Sequence, residues 1–175
     1  MKSPFKKVIG IDPGKGGGIA VITSETVQIH NCPKTVDSMA HLIGMCLTDV
    51  AAYRTKVFLE KVWAFPTDGR VGSFTFGENY GQWQGILASH ELETVFITPK
   101  MWQSHFEIQK GLKKDIRKRM LKQMAIERCP NTKRITLKTA DALLIAIYGV
   151  EAHLSYKRAL PWVEPVLSEK VALRV

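Results

Sequence analysis

A chain of 175 residues with 45% hydrophobic and 23% charged content can bury one sizeable core, and it is too apolar for a disordered chain. No stretch approaches the roughly 20 apolar residues of a membrane span, which argues against a membrane protein. The formal net charge of +9 points instead to an acidic partner such as a nucleic acid.

Segments 7–12, 17–23 and 26–32 read as three strands joined by short turns, an antiparallel meander. The first 22 residues resemble a signal peptide only superficially, because Asp12, Lys15 and a glycine cluster interrupt their apolar region. Asp37 or Ser38 caps a helix running to about Ala52, with Met39, Leu42, Ile43 and Cys46 on one face. Residues 56–62 form a fourth, central strand, followed by a loop from Trp63 to Arg70 with aromatic and basic tips. Phe74 to about His90 reads as a helix in which Gly77, Gly81 and Gly85 share one face. Each costs up to about 1 kcal/mol against alanine, so close approach to another backbone is the offsetting benefit. The spacing leaves open whether that neighbour is the chain's own sheet or a second subunit.

Glu93 to Thr98 is a fifth strand, stopped by Pro99. Leu112 to Cys129 is an amphipathic helix with Leu112, Ile116, Met120 and Met124 as its apolar stripe. Its Lys113, Lys114, Arg117, Lys118 and Lys122 occupy the remaining surface. A last helix spans Thr139 to about Tyr156. The expected architecture is a mixed five-stranded α/β sheet flanked by helices, in one domain over 1–156 with a tail over 157–175 packed on it or extending it. Cys32, Cys46 and Cys129 are odd in number and lack metal-ligand spacing, so they read as reduced thiols of a cytoplasmic protein.

The charge is concentrated. Between Lys100 and Arg134 eleven Lys and Arg stand against Glu107, Asp115 and Glu127, a net of +8. A solvated basic helix is one explanation; a phosphate backbone as partner is the other, and the concentration favours it.

Three carboxylates occur in apolar settings where a charge is costly unless paired or bound to a cation. Asp12 ends the first strand before Pro13-Gly14, Glu60 stands near the end of the fourth, and Asp141 lies in the first turn of the apolar helix Ala140–Ala146. Each has a bland reading: turn chemistry for Asp12, a strand-end ion pair for Glu60, and a helix-dipole contact for Asp141. Neighbouring first and fourth strands would put Asp12 and Glu60 on one side of the sheet, and the last helix could bring Asp141 beside them. Three carboxylates so placed repel unless cations bind. Oxygen ligands of this type select Mg²⁺ or Mn²⁺, the ions of phosphodiester hydrolysis.

The runs Ile9-Gly10-Ile11-Asp12-Pro13-Gly14, Phe58-Leu59-Glu60 and Ala140-Asp141-Ala142-Leu143-Leu144-Ile145-Ala146 resemble the motifs of RuvC-type Holliday junction resolvases, especially the phage-like branch, in the RNase H-like nuclease superfamily. The resemblance covers about residues 6 to 150. It implies a homodimeric crossover junction endodeoxyribonuclease that makes paired cuts in a four-way DNA junction, leaving 5′-phosphate and 3′-hydroxyl ends. It also implies Asp12, Glu60 and Asp141 as ligands of Mg²⁺, for which Mn²⁺ can substitute.

The resemblance further assigns Lys113 to phosphate handling. Trp63 becomes either a base-stacking residue at the junction centre or an ordinary loop anchor. DNA contacts are then expected from Arg70, Lys100, Lys113, Lys114, Arg117 and Lys118. A dimer interface is expected on the helix carrying Gly77, Tyr80, Gly81, Trp83 and Gly85, with Leu87 beside them.

One residue departs from the pattern. Many members carry an acid or His three residues before the last Asp, where this chain has Lys138, which cannot ligate a metal while protonated. Either three carboxylates with waters and a DNA phosphate suffice, or Lys138 contacts the scissile phosphate, or activity is reduced, at the extreme leaving a non-catalytic branched-DNA-binding protein with a degraded site. An ATP-handling domain, suggested by Gly14-Lys15-Gly16-Gly17-Gly18, would need a second lobe and the Gly-Lys-Ser/Thr ending of a P-loop. No nucleotide cofactor is expected.

Overall fold

The computed structural model describes residues 5–63 and 69–153. The tail over 157–175 and the middle of the loop after Trp63 lie outside the described residues. Strands β1 (Lys7–Asp12), β2 (Gly18–Thr23), β3 (Val27–Asn31), β4 (Thr55–Glu60) and β5 (Glu93–Ile97) form one sheet in the order β3-β2-β1-β4-β5. The first three are antiparallel neighbours, while β1–β4 and β4–β5 pair in parallel. That is the mixed sheet expected from the sequence.

Helices cover both faces, so the central strands are buried on both sides. One face packs Val8, Ala20, Ile22 and Phe58 against α3 (Pro99–His105), α4 (Lys114–Arg128) and α5 (Ala140–Tyr148). The other packs Ile9, Ile11, Val57 and Leu59 against α1 (Val36–Cys46) and α2 (Arg70–Ser89). Alternate residues of β1 and β4 therefore serve opposite layers, as the two-residue period of a strand requires. Cys32, Cys46 and Cys129 are free and buried. No helix among the described residues is long and apolar enough to cross a membrane.

Several boundaries differ from the sequence reading, each for a local reason. α1 is capped by Thr35, whose side chain accepts from the Ser38 backbone N–H, and it ends at Cys46. A 3₁₀ turn over Ala52–Arg54 then leads into β4. α2 begins at Arg70, a turn before Phe74, so Arg70 belongs to the helix and not to the loop.

Pro99 not only ends β5 but opens α3. Thr98 caps that helix, and proline suits a first turn whose N–H needs no intrahelical partner. The last helix is α-helical to Tyr148 and continues as a π-helical turn over Gly149–His153.

α4 is rotated from the expected orientation. Leu121 and Ala125 are its buried residues, whereas Ile116 is 47% exposed and Leu112 precedes the helix. The rotation brings Arg117 and Lys118 to the protein-facing side, where acids await them.

Candidate active site

The parallel pairing of β1 with β4 sets Ile11 opposite Leu59. The next residues, Asp12 and Glu60, thus stand side by side at the carboxyl ends of adjacent parallel strands, where open α/β sheets place their ligands. Alternation puts Asp12 on the same face as Gly10, and Glu60 on the same face as Phe58, toward α5.

α5 approaches β1 closely because residue 10 is glycine. A Cβ there would lie 2.4 Å from the Ala142 carbonyl oxygen and 2.5 Å from the Ala146 nitrogen. Asp141, one residue before that contact, is brought to the end of β1. Gly17 plays a similar part in the β1–β2 turn, where a Cβ would fall 2.0 Å from the Asp12 carbonyl oxygen. The glycine run after Asp12 thus includes a residue that permits a tight turn. The turn is tied to α2 by the Gly14 N–H, which donates to Asn79 Oδ1 at 2.8 Å.

The three acids feel one another. Burial pushes the Asp12 carboxyl well above the usual carboxylate range, and the charges of Glu60 and Asp141 push it further; a hydrogen bond with Glu60 also favours the protonated form, while the Lys118 ammonium opposes. Glu60 is raised as well, by burial first and with Asp141 adding. The Trp102 Nε1–H, donating to Glu60 Oε1 at 2.7 Å, works against that rise, as do the charges of Lys118 and Arg117. Asp141 is 9% exposed; its Oδ2 accepts from Lys118 Nζ at 2.5 Å, and its Oδ1 is buried with no hydrogen-bond partner.

This donor set suits a hard divalent cation: it consists of carboxylate oxygens, they repel one another, and one is orphaned. The side chains are nevertheless turned to other partners, Glu60 to Trp102 and Asp141 to Lys118. Among the described residues no three His, Cys, Asp or Glu side chains are arranged to hold one ion. In this arrangement Lys118 pairs with Asp141, and the charges of Lys118 and Arg117 both act on Glu60.

The remaining expected residues divide by position. Lys113 is the N-cap of α4 and Lys114 its first residue, both exposed. Arg117 is half-buried with its Nε lacking a partner. Lys100 and Arg70 are exposed in the first turns of α3 and α2. Lys138 is exposed in the turn before α5, and its backbone oxygen would lie 3.1 Å from a Cβ on Gly18, the β-partner of Asp12. Trp63 is 49% exposed, with Lys61 Nζ 5.3 Å from its ring centroid.

Two interface expectations need correction. Trp83 is fully buried and Leu87 is 1% exposed; both pack in the core between α2 and the sheet, so neither offers apolar surface to a partner. Tyr80 is half-buried against the same core. Gly77, Gly81 and Gly85 lie on the opposite side, where an added Cβ would meet nothing within 4 Å. The glycine face therefore does not pack on the chain's own sheet.

The sequence reading missed Trp102, Gly10, Gly17 and Asn79. Trp102 was findable: Thr98-Pro99 is a helix-opening pair, and a Trp in the helix it opens lands near the end of β4. The glycine roles depend on which elements cross and had no local signal.

No protein-family model and no curated protein sequence matches the chain. Among solved structures it is similar to RuvC of Thermus thermophilus, at 16% identity and a TM-score of 0.52 over 81% of this chain and 91% of that one. It is also similar to T. thermophilus RuvC in complex with a Holliday junction substrate, at 15% identity and a TM-score of 0.55 over 83% and 96%. At such identities the likeness establishes the fold, a RuvC-type RNase H-like sheet, and does not distinguish a phage-like branch.

Proposed function

We propose that this chain is a metal-dependent, structure-selective DNA endonuclease that resolves four-way junctions by paired phosphodiester hydrolysis, leaving 5′-phosphate and 3′-hydroxyl ends. The observation that carries the reading is the gathering of Asp12, Glu60 and Asp141 from three separate elements at one end of a RuvC-like sheet. A surface charge of the sign DNA attracts lies beside them on α3 and α4.

In this mechanism Asp12, Glu60 and Asp141 would hold Mg²⁺ or Mn²⁺, and the chemistry such an ion would supply there is activation of water and charge stabilisation at the departing 3′ oxygen. The chain's own residues do the rest. Trp102 holds Glu60 in place through its indole N–H. Lys118 pairs with Asp141, holding its Oδ2. Lys113, Lys114 and Arg117 draw in the phosphate backbone, with Arg70 and Lys100 extending the basic surface. Trp63 offers a partly exposed ring on which an unpaired base can stack. Lys138, beside the β1–β2 end of the sheet, supplies a cation for the scissile phosphate where an acid or His would have served as ligand. Two cuts need two active sites, so the working species is a twofold dimer, for which the open glycine face of α2 is the surface.

The test is incubation with labelled four-way junction, duplex, flap and single-stranded DNA, with and without Mg²⁺ or Mn²⁺. Metal-dependent paired nicking of the junction in preference to the other substrates is the expected result. One observation favours a second reading: Lys118 and Trp102 occupy the carboxylates, as they would in a branched-DNA-binding protein that no longer cuts. Tight junction binding with no cleavage in either metal would establish that reading and end the first.

A further inference from the structure

Glu151 lies in the π-helical turn that follows α5, at the far end of that helix from Asp141. Both of its carboxylate oxygens are taken. Arg128 Nη1 donates to Oε1 at 2.5 Å, and His105 Nε2 stands 2.7 Å from Oε2. Arg128 is the last residue of α4 and His105 the last of α3, so one carboxylate joins the ends of three helices. An isolated ion pair at such partial exposure contributes little. Here two partners from different helices share one carboxylate, and rings fix both of them. The Arg128 guanidinium lies 5.1 Å from the Phe106 ring centroid, and the His105 ring packs edge-on against Phe106 and Tyr148.

The same helices carry the contacts that hold the acidic centre. Lys118 of α4 pairs with Asp141 of α5, and Arg128 of α4 pairs with Glu151 in the turn that continues α5. The partners are 23 residues apart in both cases, so the second pair repeats the first ten residues further along each segment. On an α-helix that spacing is about 15 Å. One such contact would act as a pivot; two fix both the sliding and the tilt of α4 on α5. On α3, His105 follows one turn after Trp102, whose indole N–H donates to Glu60 Oε1 at 2.7 Å. Glu151 thus braces the two helices whose other side chains hold Glu60 and Asp141.

We infer that Glu151 is a positioning residue for the acidic centre. By binding Arg128 and His105 together it sets α3 and α4 on α5, and so keeps Trp102 on Glu60 and Lys118 on Asp141. Its effect on cleavage rests on the nuclease reading above; its effect on Trp102 does not.

The experiment compares the full chain with its Glu151→Gln variant, which keeps the size of the side chain and removes its charge. Exchange of indole N–H protons with solvent is followed by nuclear magnetic resonance, without DNA or metal. Trp102→Phe and Trp83→Phe assign the two signals that matter. Trp83 is fully buried in the layer on the opposite face of the sheet, so it reports opening of the whole chain. Relative to Trp83, the Trp102 proton is expected to exchange about tenfold faster in the variant, the scale of one lost charge-assisted contact. In single-turnover cutting of a saturating four-way junction, the variant should be slower by about the same factor, with its Kd for the junction unchanged. Adding Arg128→Gln should slow it little further, because both changes remove the same bond.

An unchanged Trp102 signal in folded Glu151→Gln protein overturns the inference. Equal acceleration of Trp102 and Trp83 also overturns it, since Glu151 would then serve overall stability alone. Faster Trp102 exchange with undiminished cutting would show that the brace does not position the carboxylates. Should Glu151→Gln protein fail to fold, Arg128→Gln and His105→Gln each remove one of the two contacts and are judged by the same two signals. Absence of cutting by the unaltered chain would remove the nuclease reading and leave the exchange comparison to decide whether Glu151 braces Trp102.

Discussion

Asp12 and Glu60 stand in the fold with carboxyls that release their protons less readily than in the unfolded chain. The folded state therefore keeps protons that the unfolded state gives up. The resulting penalty is absent below the ordinary carboxylate range, grows as pH rises through the raised folded values, and is complete above them. In metal-free buffer Asp12→Asn should raise the melting temperature at neutral pH by about 2–4 °C for each kcal/mol of penalty removed. The gain should vanish near pH 4, and cleavage should be abolished at all pH values. A variant that melts below the natural protein at neutral pH would show that the Asp12 charge is not under strain. Lys118 bears on the same balance from the other side. With Lys118→Met, the buried Asp141 loses its ion-pair partner, and we expect a loss of about 1–3 kcal/mol in urea unfolding with EDTA present. Mg²⁺ should shrink that loss by replacing the missing charge. An equal loss with and without Mg²⁺ would mean that ions do not bind where Lys118 acts.

At the scale of elements, the decisive contact is α5 against β1. The backbones meet over Gly10, and the same helix continues into Gly149, where a Cβ would lie 2.3 Å from the Phe58 ring. Two glycines in two different elements thus allow one apolar helix to lie flat on the sheet and deliver Asp141 to Asp12. Gly10→Ala places a methyl group against backbone atoms that cannot move independently, at a cost of about 1–3 kcal/mol. Relief requires α5 to shift, so cleavage should fall even where the variant remains folded. Calorimetry and a junction-cleavage assay on one preparation separate the two effects. Normal cleavage in a folded Gly10→Ala protein would show that the placement of Asp141 tolerates such a shift.

For the whole molecule the open question is assembly. Gly77, Gly81 and Gly85 present bare backbone to solvent, beside the 74% exposed Phe74. In an isolated chain alanine at these positions would stabilise α2 by up to about 1 kcal/mol each. A glycine-faced helix is thus a cost in the monomer that a close helix–helix contact would offset. Gly81→Leu, whose side chain meets nothing in the single chain, should leave melting unchanged or slightly raised. In sedimentation at micromolar concentration it should convert a dimer into a monomer. A natural protein that sediments as a monomer, with or without junction DNA, would refute the paired-incision scheme. Trp83→Glu does not serve this test, because Trp83 is fully buried and a charge in its place would unfold the chain.

The strands and the acids at the ends of β1 and β4 were legible in the sequence because each depends on local pattern. Alternation and turn residues delimit β1 to β5, and a carboxylate closing an apolar strand is conspicuous without any fold. The rotation of α4 was not legible. Its apolar residues fit more than one stripe, and the observed orientation buries Leu121 and Ala125 in the core while setting Lys118 against Asp141, 23 residues away in the chain. The two faces of α2 were likewise undetermined by spacing: glycines signal a close approach without saying to what. Only the packing of Trp83 and Leu87 on the sheet turned the glycines outward. Local chemistry chose the elements and the candidate carboxylates; long-range electrostatics and packing decided which side of each helix faces them.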